Sequence, residues 1–140
     1  MVAAAASITG LTLECRMAQA QFRCSAVVQA LPEQTDPERG LFAYSYKITI
    51  ENTGDVAAQL IARHWTITDA RGQVQQVQGL AVVGHQPYLQ PGESFQYSSW
   101  AQIATPQGSM SGRFLCVTEQ AEVFYAPVPE FALAEPGLLH

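Results

Sequence analysis

The sequence predicts an all-β sandwich, and three observations predict it. Apolar and polar residues alternate with a period of two over several stretches of about ten residues, as in strands with one buried face. Turn residues recur every eight to twelve positions or so, the spacing of a many-stranded sandwich. No segment carries a convincing helical period.

Residues 1–20 stand apart. They are rich in alanine, CRMAQAQ (15–21) suits a short helix, and they read as an N-terminal extension to a domain over 21–140. Strand character begins at about residue 21. FAYSYKITIEN (42–52) sets Phe42, Tyr44, Tyr46, Ile48 and Ile50 against Ala43, Ser45, Lys47, Thr49 and Glu51. ENTGDV then supplies a turn, with Asn52 and Gly54 suited to positive φ. QLIARHWTITDA (59–70) puts Ile61, Arg63, Trp65 and Ile67 on one face and Leu60, Ala62, His64 and Thr66 on the other. DARG (69–72) turns the chain and QVQQVQG (73–79) resumes an extended course. QGLAVVGHQP (78–87) reads as a bent strand or bulge with glycines at its kinks. LQPGES (89–94) is a Pro-Gly turn. SFQYSSWAQI (94–103) alternates again, so Trp100 faces out when Phe95 and Tyr97 face in. TPQGS (105–109) turns into MSGRFLCVT (110–118), with Glu119 and Glu122 in the next turn. The proline-punctuated AEVFYAPVPEFALAEP then forms an edge strand protected against further pairing. The pattern amounts to about seven or more antiparallel strands. Trp65, in the middle of an early strand, corresponds to the core tryptophan of immunoglobulin-like sandwiches, although the paired cysteines of antibody domains are missing.

Composition narrows the function classes. A chain of 140 residues with 48% hydrophobic content suffices for one domain with a proper core. Charged residues make up 14%, against roughly 25% in an average domain. The formal net charge is −5, and Lys47 is the only lysine. No basic patch is visible, which argues against nucleic acid and an anionic membrane surface as partners. No apolar run approaches the roughly 20 residues of a membrane span. The mildly apolar start lacks the basic n-region of a secretory signal. Cys15, Cys24 and Cys116 are odd in number and irregularly spaced, which suits reduced thiols in a cytoplasmic protein better than a disulfide framework. Cys24 and Cys116 are expected to face the core. Zinc-type ligand spacings are absent, and neither a metal nor a cofactor is expected.

The series FAYSYKITIENTG, LIARHWTITDARG, VQGLAVVGHQPYLQPGESFQYSS, ATPQGSMSGRF and VPEFAL resembles the ApaG family, dense and in order from about Phe22 to His140. The resemblance implies an immunoglobulin- or fibronectin type III-like sandwich. It implies a module found alone in bacteria, in an F-box protein and in a polymerase-delta-interacting protein. Bacterial members are tied by genetics to cobalt and magnesium resistance, and by gene neighbourhood to a diadenosine tetraphosphate hydrolase. Eukaryotic members use the module to bind other molecules. No catalytic activity comes with the family. Two departures stand out: the family's G-x-G-x-x-G has Ala81 at its middle glycine here, and Trp100 stands where Ser-Gly is usual.

Gly79 and Gly84 could be taken for a phosphate loop. Such a loop needs a strand leading into a helix N-terminus, and His85, Gln86 and Pro87 do not open one. No lysine follows, so it is not a Walker loop. His64 and His85 lack a spacing that gathers metal ligands. No GxSxG elbow or paired carboxylates mark a catalytic set. The residues therefore favour a non-enzymatic binding module with a protein partner. Its expected surface comprises Gly79, Gly84, His85, Gln86 and Pro87, joined by Arg63, His64 and Trp100. Exposed tryptophan is a common binding anchor, while Arg63 also suits a cross-strand structural role. The alternative is a small-ligand site for phosphate, pyrophosphate or a dinucleoside polyphosphate, with or without a divalent metal. Whether two copies pair through a sheet edge stays open.

Overall fold

The structure, a computed structural model, describes residues 19–134. Eight strands appear among them: β1 Phe22–Ala30, β2 Phe42–Asn52, β3 Ala58–Asp69, β4 Val74–Leu80, β5 Tyr88–Leu89, β6 Ser94–Ile103, β7 Gly108–Thr118 and β8 Val123–Leu133. They form two antiparallel sheets, one ordered β1-β2-β6 and one ordered β4-β3-β7-β8 with the short β5 also on β3. The fold is the expected immunoglobulin-like sandwich. Residues 1–18, including most of the CRMAQAQ stretch, lie outside the described residues. Gln19–Gln21 are not helical; they run beside the 53–55 turn, where Gly54 N–H and Asp55 N–H donate to the Gln21 and Gln19 carbonyls.

The core follows from the alternation. Tyr44, Tyr46, Ile48 and Ile50 of β2 face Trp65, Ile67, Met110 and Phe114 of the larger sheet. Trp65 is 2% exposed and meets Phe114 edge-on at 5.8 Å and Tyr46 at 5.7 Å, so one ring ties the two sheets together. Its cross-strand neighbour is Gly112, where a Cβ would overlap the His64 carbonyl and come within 2.6 Å of the indole. Cys24 and Cys116 are buried and free, as expected.

Two expectations need correction. Leu60 is fully buried on the same side as Trp65 and Ile67, although simple alternation puts it on the opposite face. A β-bulge between Leu60 and Ala62 inserts Ile61 and switches the phase of β3. The 52–54 turn also works differently. Neither Asn52 nor Gly54 has positive φ. Asn52 is buried, and its amide donates to the Val56 and Leu89 carbonyls while its oxygen accepts from Gly54 N–H. One buried polar side chain thus bonds three backbone groups around the turn. Gly54 is required for close approach, since a Cβ there would overlap the Gln19 carbonyl.

The sandwich closes on one side, where β1 lies against β8. β8 carries Pro127 and Pro129, as an edge strand should. The opposite side stays open between β4 and β6, with adjoining clefts of about 260 and 290 Å³.

Candidate functional site

Arg63 and Gly79 are cross-strand neighbours on the inner face of β3 and β4. A Cβ on Gly79 would lie 2.8 Å from Arg63 Nη1, so glycine lets the guanidinium lie across β4. Nη1 then donates to the Leu80 and Ala81 carbonyls, both at 2.9 Å. Arg63 therefore serves the structural role, holding the end of β4 where it leaves the sheet.

Beyond it the chain makes a tight hairpin. Val82 and His85 exchange both backbone hydrogen bonds, at 2.8 and 2.9 Å. Val83 and Gly84 between them have φ of 48° and 81°, the handedness of a type I′ turn. Ala81, at φ 68°, is also left-handed. This explains why glycine suits the position in the G-x-G-x-x-G pattern. Three of the amides that an anion loop would use are already spent. Ala81 N–H donates to the Ile61 carbonyl, and the Val82 and His85 N–H groups are spent in the turn. Gln86 and Pro87 bind the hairpin to β3: Gln86 Nε2 donates to the Ile61 carbonyl, and the Pro87 carbonyl accepts from Leu60 N–H. The His85 ring lies 5.6 Å from that of Phe95.

Cross-strand register on the outer face of the larger sheet assembles what no single segment holds. One row reads Leu80, Ala62, Leu115, Tyr125 across β4, β3, β7 and β8. The next row, two residues along each strand, reads Gln78, His64, Arg113, Pro127. On the other flank Tyr88, Gln59, Val117 and Val123 form a third. Leu80 is 73% exposed, Val123 61%, Tyr125 56% and Tyr88 48%. With Val83 at the hairpin tip, this end carries five of the eight large hydrophobics exposed among the described residues. Singly exposed apolar residues mean little, but such a concentration sets this end apart from the rest of the described surface. A shallow groove of about 470 Å³ runs over the first two rows. The Arg113 guanidinium lies 4.5 Å from the centre of the Tyr125 ring, and His64 Nε2 lies 2.9 Å from Gln76 Oε1.

The structure thus brings Arg63, His64 and Gly79 to one groove, while Gly84–Pro87 follow in the hairpin beyond Leu80 and do not line it. Trp100 is 58% exposed, as its phase predicted, but it sits on β6 of the smaller sheet, opposite Ser45. There it borders the open cleft with Arg63, above Tyr46, Trp65 and Met110. Tyr97 lies inside the sandwich with its hydroxyl buried and unpaired. Burial pushes its pKa up, Tyr46 adds to the rise, and Arg63 opposes it. Arg113, Leu115, Val123 and Tyr125 escaped sequence reasoning. Their strands showed only period-two alternation and proline punctuation, and register rather than spacing makes them neighbours of His64 and Leu80.

Among the described residues no three His, Cys, Asp or Glu side chains gather as metal ligands would. No described helix is long and apolar enough to cross a membrane. Fold and surface define an immunoglobulin-like domain with an apolar, arginine-edged groove on one sheet. The comparisons place it further. The ApaG domain profile matches residues 32–118, and the chain belongs to the ApaG family. It is 59% identical over 110 residues to Protein ApaG of Ralstonia nicotianae, covering 79% of this chain and 89% of that one. It is 52% identical over 120 residues to Protein ApaG of Thiobacillus denitrificans, covering 86% and 94%. The crystal structure of the ApaA protein of Bordetella pertussis superposes with a TM-score of 0.80 at 44% identity, over 84% of this chain and 95% of that one.

Proposed function

We propose that this protein is a non-enzymatic binding module that docks a protein partner on the outer face of its larger sheet. The observation that carries this reading is the gathering of Leu80, Val83, Tyr88, Val123 and Tyr125, all exposed, at one end of that face. Burying such side chains on association supplies the driving force, at roughly 25 cal/mol per Å² of apolar surface before the costs of ordering. Tyr125 and Arg113 are residue types that dominate binding energetics. The fixed backbone of a sheet presents them with little reorganisation. The hairpin spends the Ala81, Val82 and His85 N–H groups on backbone carbonyls, and no helix N-terminus follows it among the described residues, which favours this reading over a phosphate or dinucleotide ligand. Cobalt and magnesium tolerance, as family resemblance implies it, would then act through the partner. Cytoplasmic residence fits the free, buried Cys24 and Cys116.

Capture from a cytosolic extract tests the reading. The wild-type chain retains a saturable partner, and the Leu80→Asp/Tyr125→Asp double variant loses it while still melting cooperatively. Equal capture by the two chains contradicts it.

A further inference from the structure

The groove is acid-free in an acidic protein. The formal net charge is −5, and twelve Asp and Glu stand against seven Lys and Arg, so acids outnumber bases over the chain. Yet the groove lining carries Arg113 and His64 on its surface, with Arg63 held beneath on the inner face, and no carboxylate. Elsewhere Arg23 pairs with Glu51 at 2.8 Å and Arg39 with Asp36 at 3.5 Å. Arg113 has no carboxylate partner among the described residues. It is exposed and held over the Tyr125 ring, which orients the guanidinium without neutralising it.

We infer that the groove takes an acidic, amphipathic peptide segment. Bulky apolar side chains would lie on the Leu80–Ala62–Leu115–Tyr125 row, and carboxylates would meet the His64–Arg113 row beside it. The geometry sets the size. Four strands at 4.7–4.9 Å spacing make each row about 14 Å long, and two residues along a strand set the rows about 7 Å apart. An extended segment of four or five residues, with apolar and acidic side chains splayed to its two sides, spans this footprint. A guanidinium already fixed by an aromatic ring loses little freedom on accepting a carboxylate. The absence of acids in the lining removes the repulsion that the rest of the surface would offer. The same arrangement disfavours a polybasic segment.

The inference rests on the docking reading above and adds the chemistry of the docked segment. Its test uses two amidated nine-residue peptides, each with Phe and Leu two positions apart at its centre, one with glutamates at the intervening and flanking positions and the other with glutamines there. Anisotropy titrations are made against the intact chain, with amide-shift mapping on labelled protein. The glutamate peptide binds about tenfold tighter, and its advantage shrinks as salt rises from about 50 to about 500 mM. Its shifts map to β3, β4, β7 and β8. Arg113→Gln weakens the glutamate peptide about fivefold and leaves the glutamine peptide unchanged. His64→Gln acts in the same direction and serves as the second variant. Equal affinity for the two peptides overturns the acidic preference and leaves the docking face standing. Failure of both peptides to bind overturns the inference, while the docking face is judged separately by capture. Shifts confined to the cleft beside Trp100, or capture of anionic vesicles through Arg113, also overturn it.

Discussion

Replacing Gly79 with alanine sets a Cβ 2.8 Å from Arg63 Nη1, so the guanidinium must leave the Leu80 and Ala81 carbonyls. The cost is about 1–2 kcal/mol. Arg63→Ala removes the same bonds, so the double variant should cost well under the sum, with a coupling of about 1 kcal/mol in denaturant titrations. Additive losses would show that the two residues act independently. Val83 carries a β-branched side chain at φ 48°, where L residues pay roughly 1–2 kcal/mol. Val83→Asn should therefore raise stability by about 1 kcal/mol, as asparagine suits the first position of a type I′ turn. The buried thiols titrate late. Burial raises Cys24 and Cys116 to about 12 from 9.0. Both should resist an aromatic disulfide reagent at neutral pH in the folded chain and react once it unfolds. The sign of the linkage follows: the folded state holds these protons longer. Their contribution is complete below pH 9 and is lost as pH rises toward 12.

At the scale of elements, the 52–56 turn depends on one side chain. Asn52→Ala removes the donor to the buried Val56 and Leu89 carbonyls and leaves Gly54 N–H only its Gln21 bond, and should cost about 3 kcal/mol in chemical denaturation. A loss below about 1 kcal/mol would mean that water replaces the amide. The strands themselves were legible because a half-buried strand writes its burial into period two. FAYSYKITIEN and SFQYSSWAQI match β2 and β6 residue for residue. The bulge at Ile61 was not legible. One extra residue leaves both halves of β3 alternating, and only the partner strand reveals the change of phase. Asn52 and Gly54 suit positive φ by residue type, whereas the turn is fixed by a buried hydrogen-bond set that residue type does not disclose.

For the whole molecule, sequence and structure agree on the sandwich and on the ApaG family, but the candidate surface was half legible. His64, Arg63 and the glycine-bearing segment could be picked from their own stretches. Arg113, Leu115, Val123 and Tyr125 lie 26 or more positions further along the chain, brought alongside by the β3–β7 and β7–β8 registers. Trp100 was correctly turned to solvent, yet the two-sheet topology puts it on the other layer. The central claim is that partners dock on the outer face of the larger sheet. Amide hydrogen exchange of the chain, alone and with its captured partner, tests it most directly. The account predicts added protection over β4, β7 and β8 around Leu80, Leu115 and Tyr125, with β1 and β6 unchanged. Protection centred on β6 and Trp100, with the outer face exchanging as in the free chain, would contradict it.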